Sequence, residues 1–180
     1  MSFGIFNLYA LAFTTSSTGN GPMNFGATRD EAMRRAEGLM DLVRLSRAAL
    51  KRYPSEFSGG QRQRICIARA LAMDPELLIC DEAVSALDVS VAAQILDLLA
   101  EIQQRLHLAM LFITHDLRVA AQICDHVIVM EKGVIVEQGK THDVFTHPQQ
   151  PYTRALLAAA PGRQFAFGHK LPPRLAGAPA

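Results

Sequence analysis

Leu77-Leu78-Ile79-Cys80-Asp81-Glu82 runs a short apolar stretch straight into two carboxylates. Four consecutive apolar residues ending in charge read as a strand buried on both faces, as in a parallel sheet covered by helices. Downstream, Val91, Ile95, Leu98, Leu99, Ile102 and Leu106 recur at helical spacing. Ala109–Ile113 is a second apolar run, followed by Thr114, His115 and Asp116. Strand, helix, strand with continuous apolar strands predicts an α/β domain with a largely parallel sheet. In such sheets ligands bind outside the carboxyl ends of the strands. Asp81, Glu82 and His115 are therefore candidates for chemistry. Alternation along a strand turns Asp81 and Glu82 in different directions, so one can hold a metal while the other faces a water. Taken singly, each also fits a solvated strand end or a helix cap.

Upstream, Thr28-Arg29-Asp30-Glu31 has the spacing of a capping box. Met33, Ala36, Met40 and Val43 then recur at helical spacing, with Leu39 widening the stripe, which predicts a helix over 28–45. Ser46–Phe57 reads as a loop, and Ser58–Met73 as a helix buried through Ile65, Ala68, Leu71 and Ala72. The start of that helix, Ser58-Gly59-Gly60-Gln61, also fits a capping box. A cap alone would not favour two glycines, each of which costs about 1 kcal/mol in a helix relative to alanine. Glycines there open the free first-turn amides and the positive end of the helix dipole to an anion.

Beyond His115 a short helix is expected near 117–123. Val127–Met130 and Val134–Val136 flank Glu131-Lys132-Gly133 as a hairpin. Helices follow near 142–146 and 151–160, then a proline-rich tail over 161–180. Gly19-Asn20-Gly21-Pro22 marks a turn, and residues 1–20 carry no assignment. Gly139-Lys140-Thr141 is the single Gly-Lys-Thr. It is rejected as a phosphate loop because hairpin strand, not a loose glycine loop, precedes it.

Composition narrows the class. The 180 residues are 49% hydrophobic and 19% charged, which fits one globular domain and excludes a disordered or collagen-like chain. A net charge of +1 gives no support for a nucleic-acid partner. Cys66, Cys80 and Cys124 sit in apolar runs and read as reduced core residues. The longest N-terminal apolar segment, Phe3–Phe13, is interrupted by Asn7 and falls short of the roughly 20 residues a span requires.

Phe57–Arg64 followed by Ala68-Arg69-Ala70-Leu71 resembles the signature motif of ATP-binding cassette (ABC) proteins. Leu77–Glu82 is similar to their Walker B strand with its catalytic glutamate. Ser85-Ala86-Leu87-Asp88 is similar to their D-loop, and His115 sits where their switch histidine does. Arg52–Phe57, Ser85–Ser90 and His147–Leu157 resemble the oligopeptide/dipeptide importer branch. Ala83 departs from the proline usual after the glutamate.

The resemblance implies a partial P-loop NTPase core with a signature-helix subdomain, and ATP and Mg²⁺ as cofactors. By resemblance, Asp81 holds Mg²⁺ through water, Glu82 is the general base and His115 contacts the γ-phosphate. Ser58, Gly59, Gly60 and Gln61 contact ATP bound by a partner cassette, and Asp88 reaches across that interface or merely caps the following helix. The implied partners are a second ABC ATPase subunit, same or different, membrane permease subunits and, indirectly, a peptide-binding protein. The implied location is the cytoplasmic face of the inner membrane. The family's phosphate loop and glutamine loop precede the signature by about half a domain, and here 57 residues precede Ser58. The chain therefore reads as the C-terminal portion of a cassette over 21–160. Within it, 28–75 is the signature region, 76–137 the Walker B to switch-histidine core, and 141–160 the C-terminal helices. The expected function is the ATP-hydrolysing subunit of a peptide importer, inactive alone. The alternative is a non-enzymatic truncated cassette, or a remnant, that at most docks on a partner.

Overall fold

The computed structural model describes residues 29–160 and 165–167. The unassigned leader, the Gly19–Pro22 turn, Thr28 of the first capping box and most of the tail lie outside the described residues. Two compact units are present. Among the described residues, one holds 29–78 together with Leu87–Met110. The other holds Ile79–Ala86 and the described residues from Leu111 onward.

In the first unit, helix α1 spans Arg29–Leu42. Its buried stripe is Ala32, Ala36, Met40 and then Val43, while Met33 is exposed. Ala32 and not Met33 leads the stripe because Ala32, Ala36 and Met40 repeat at four residues and stack on one face. The expected loop 46–57 contains two short 3₁₀ turns, Arg47–Lys51 and Pro54–Glu56. Phe57 closes this stretch, buried with Met40, Ala49 and Ile65, and the Arg52 guanidinium lies 4.6 Å from its ring centre. Helix α2 spans Gly59–Leu71 and buries Ile65, Ile67, Ala68 and Leu71. Helix α3, Val89–Leu106, buries Ile95, Leu96, Leu98, Leu99, Ala100 and Ile102, the widest apolar face among the described helices. It ends at His107, whose φ of 53° is a left-handed stop.

Strand β1, Leu77–Asp81, pairs with β2, Ala109–Ile113. The pair is parallel. Ala109 N–H donates to the Glu76 carbonyl at one end (3.1 Å), and Glu82 N–H donates to the Ile113 carbonyl at the other (2.9 Å). Burial on both faces is not observed. Leu78 and Cys80 are buried, but Ile79, Leu111 and Ile113 are 57%, 45% and 47% exposed. Among the described residues the two strands are covered on one face only, so a sequence pattern suited to a fully covered sheet leaves large aliphatic side chains exposed. Ile79→Lys combined with Leu111→Lys is therefore expected to raise the monomer share in size-exclusion chromatography. An unchanged elution profile would show that this face drives no self-association.

In the second unit, β3 (His126–Glu131) and β4 (Val134–Lys140) form an antiparallel hairpin with a bulge at Val129/Met130; β3 is one residue longer at each end than expected, and β4 starts where expected but runs on to Lys140. Lys132 and Gly133 take φ of 49° and 83° at the turn, as a tight hairpin requires. Helices α4 (Leu117–Ile123), α5 (Thr141–Thr146) and α6 (Pro151–Ala159) complete the unit. The Thr141 hydroxyl donates to the Cys124 carbonyl at 2.6 Å. The Glu137 carboxylate on β4 accepts the amides of Gln149 (2.8 Å) and Gln150 (3.1 Å). These are donors at the start of α6, so Glu137 supplies the cap that Gln150 does not. This gives His147–Leu157 a structural role: Pro151 starts the helix, and the preceding loop is tied to the hairpin.

Cys80 is buried, which pushes its thiol up to about 11. Cys66 is exposed and not in the core, because the buried positions of α2 run through Ile65, Ala68 and Leu71. No described helix is long and apolar enough to cross a membrane.

Candidate functional site

Glu82 follows β1 directly and takes a φ of 49°. That left-handed conformation is disfavoured for a residue with a side chain and persists only where neighbours over-determine it. They do so here. The Glu82 amide donates to Ile113 on β2, and its carbonyl accepts both the Ser85 amide (3.2 Å) and the Ser85 hydroxyl (3.0 Å). The turn aims the Glu82 carboxylate at His115, with Oε1 2.7 Å from Nδ1. The hydrogen bond to His115 holds the Glu82 carboxyl below its usual range, and the same bond with the charge behind it holds His115 above its own. Both side chains remain open to solvent.

Asp81 ends β1 and is exposed. Of the polar residues after β2, Asp116 is committed elsewhere. Its carboxylate caps α4, accepting the Arg118 amide at 2.9 Å, and pairs with the Arg118 guanidinium. The strand ends thus join Glu82 to His115 with Asp81 beside them in sequence. No cluster of three metal-ligating side chains occurs among the described residues. A lone exposed carboxylate suits Mg²⁺ that arrives with phosphate oxygens and water, since Mg²⁺ is usually held by one or two carboxylates plus substrate phosphates.

The Ser58–Gln61 turn belongs to the other unit. The capping box is present: Ser58 Oγ accepts the Gln61 amide (3.3 Å), and Gln61 Oε1 accepts the Ser58 amide (3.1 Å). This consumes acceptor atoms and leaves donors. The Ser58 hydroxyl hydrogen, the Gln61 amino group and the first-turn amides of Gly59 and Gly60, which have no partner within a helix, can all face an anion. Arg64 is not part of that donor set. Its guanidinium donates to the Val43 carbonyl (3.1 Å) and to Gln94 Oε1 (3.3 Å), and burial, with Arg44 nearby, lowers its pKa. Asp88 stands at the N-cap of α3, yet its side chain makes no capping bond, so its carboxylate is exposed and uncommitted to that helix.

Gly60 holds a feature that its sequence context did not reveal. A Cβ on Gly60 would lie 2.5 Å from Val91 Cγ1, whereas one on Gly59 would meet Leu87 Cδ2 at an ordinary 3.6 Å. The partners Val91 and Gln94 were legible only as positions on the α3 stripe or its flank.

The ABC transporter family model matches residues 7–85, beginning inside the stretch that carries no assignment from sequence and ending within the D-loop-like segment. The chain is 53% identical over 134 residues to a peptide import ATP-binding protein of Brucella ovis, covering 74% of this chain and 42% of that protein. It is 54% identical over 133 residues to the glutathione import ATP-binding protein GsiA of Pectobacterium atrosepticum, covering 74% and 21%. The chain thus spans well under half the length of these curated relatives. Among solved structures, it superposes on a metal-chelate type ABC transporter in an inward-facing conformation with a TM-score of 0.66 at 25% identity, covering 80% of this chain and 55% of that one. It superposes on cbiO1 of Clostridium perfringens, part of the ABC transporter complex cbiONQ, with a TM-score of 0.65 at 28% identity, covering 82% and 55%. The order of motifs, the α/β fold and the identity to import ATP-binding proteins agree: over the matched residues the chain is similar to the ATP-binding subunits of ABC transporters.

Proposed function

We propose that the chain supplies the signature turn and the water-activating groups of an ATP-hydrolysing subunit in a peptide-type importer. The observation that carries this reading is the 2.7 Å Glu82–His115 contact at the ends of adjacent parallel strands, in a chain more than half identical to import ATP-binding proteins. In this reading Glu82 accepts a proton from the attacking water, and His115 holds Glu82 in place and meets the γ-phosphate. Asp81 is the residue that would hold Mg²⁺, which supplies charge neutralisation on the phosphates. Ser58, Gly59, Gly60 and Gln61 present donors to ATP bound by a second cassette, and Asp88 lies at the same interface. The partners are that second subunit, identical or related, permease subunits in the membrane and, through them, a peptide-binding protein. The place of action is the cytoplasmic face of the membrane.

Gly139 and Lys140 close β4 and Thr141 opens α5, so Gly139-Lys140-Thr141 does not form a glycine loop. The Ser58–Gln61 turn acts on ATP whose phosphate loop a partner contributes, and the 180 residues alone are expected to turn ATP over at background rate. The test mixes the chain with an intact peptide-import cassette and measures ATP hydrolysis. Ser58→Arg in this chain is expected to lower the stimulated rate about 10²-fold, the scale of losing one preorganised donor. Equal rates with wild-type and Ser58→Arg chains would refute the role of this turn and favour the non-enzymatic reading.

A further inference from the structure

The two glycines of the signature turn are not equivalent, and the difference lies in their own unit. Gly59 has ordinary room beside Leu87, whereas the space a Gly60 side chain would need is filled by Val91 Cγ1. One turn further along both helices, Arg64 on α2 donates to Gln94 on α3 at 3.3 Å. The contacts 60–91 and 64–94 advance by about one turn on each helix, so α2 and α3 run side by side in the same direction from their N-termini. Asp88, the uncommitted N-cap of α3, is three residues before Val91 and therefore on the same side of that helix. The donor-rich turn of α2 and the Asp88 carboxylate are thus carried by two helix starts in direct contact.

We propose that Val91 is a positioning residue that seats the Ser58–Gln61 turn on the first turn of α3. The signature donors and Asp88 are then presented to a partner as one rigid element. Val91 suits this task because a β-branched side chain in a helix is nearly fixed at χ1. Its methyl is a stop rather than a flexible contact. Gly60 is glycine first because its own chain occupies the space, independently of any phosphate that approaches from outside. The positioning role rests on the functional reading given above; the packing does not.

The test has two arms. The first needs neither nucleotide nor partner: thermal melts of the whole chain with Gly60→Ala, Val91→Ala and the two together. Gly60→Ala is expected to lower Tm by roughly 5 °C. Adding Val91→Ala, which removes the blocking methyl, is expected to restore most of that loss. Strictly additive effects would overturn the seating. The second arm is the mixture with an intact cassette. Val91→Ala is expected to raise the KM for ATP several-fold, with a smaller change in kcat, because the donors are present but loosely placed. Val91→Thr, which keeps the branched shape, is expected to retain the wild-type KM. A wild-type KM for Val91→Ala in a mixture that Ser58→Arg does impair would overturn the positioning role while leaving the functional reading intact. If Ser58→Arg is also silent, the functional reading fails and the positioning role fails with it, while coupled melts would still establish the seating.

Discussion

Glu82→Gln is expected to lower turnover of ATP bound beside Glu82 and His115 by about 10²- to 10⁴-fold, the range a positioned general base contributes, without unfolding the chain. Glutamine keeps the shape and can still accept a hydrogen bond from His115, but it cannot take a proton from water. The backbone there is pinned independently of the side chain, through Ile113 on one side and Ser85 on the other. Retained turnover in Glu82→Gln would remove Glu82 from the chemistry. The pair also has a defined pH window. The depressed pKa of Glu82 contributes stability that is present above its unfolded value and lost as pH falls through the folded value. The raised pKa of His115 contributes stability that is present below its unfolded value and lost as pH rises through the folded value. The contact is therefore strongest between the two folded values. Because both groups are open to water, it contributes more to geometry than to stability. In Glu82→Gln the His115 titration, followed by NMR, is expected to move down toward the ordinary histidine value. An unmoved titration would show that Glu82 is not what raises it.

Leu98→Ala is expected to have the largest effect on stability, about 2–5 kcal/mol. Leu98, Leu99, Ile95 and Ile102 are all 0% exposed and form the centre of the α3 face. A whole domain is stable by only about 5–15 kcal/mol, so this one truncation removes much of the margin of its unit. The consequence reaches function, since α3 carries Asp88 and Val91 and meets the signature helix. Urea unfolding would measure it, and a loss below about 1 kcal/mol would mean that the site collapses around the smaller side chain. Leu106, on the same sequence stripe but exposed at the helix end, is expected to tolerate alanine.

The comparison of Leu98 with Leu106, and of Ala32 with Met33, shows where periodicity stops being informative. Spacing fixes which side of a helix is apolar, but the depth of each position depends on what packs against it. The same limit applies to the strands. Leu77–Cys80 and Ala109–Ile113 were legible as strands, but their open face was not, because burial requires a covering element that no local pattern encodes.

The sequence by itself determined the α/β class, the boundaries of β2 and α4, the capping box at Ser58 and the standing of Asp81, Glu82 and His115 as candidates, whereas Asp88 came only from the family resemblance. Each of these but Asp88 rests on local chemistry: apolar spacing, cap reciprocity, or a charged residue placed directly after a strand. Tertiary structure alone decided four things. It joined Glu82 to His115 across 33 positions, through a left-handed turn that no residue type there announces. It left Asp88 unused as a cap, and it turned Arg64 inward to Val43 and Gln94. It also set Val91 against Gly60, so that a glycine read as making room for a ligand makes room for its own chain. Three of the four depend on distances between residues far apart in sequence, which are fixed only when the helices and strands pack; the Asp88 side chain is a local choice of rotamer that residue type does not fix.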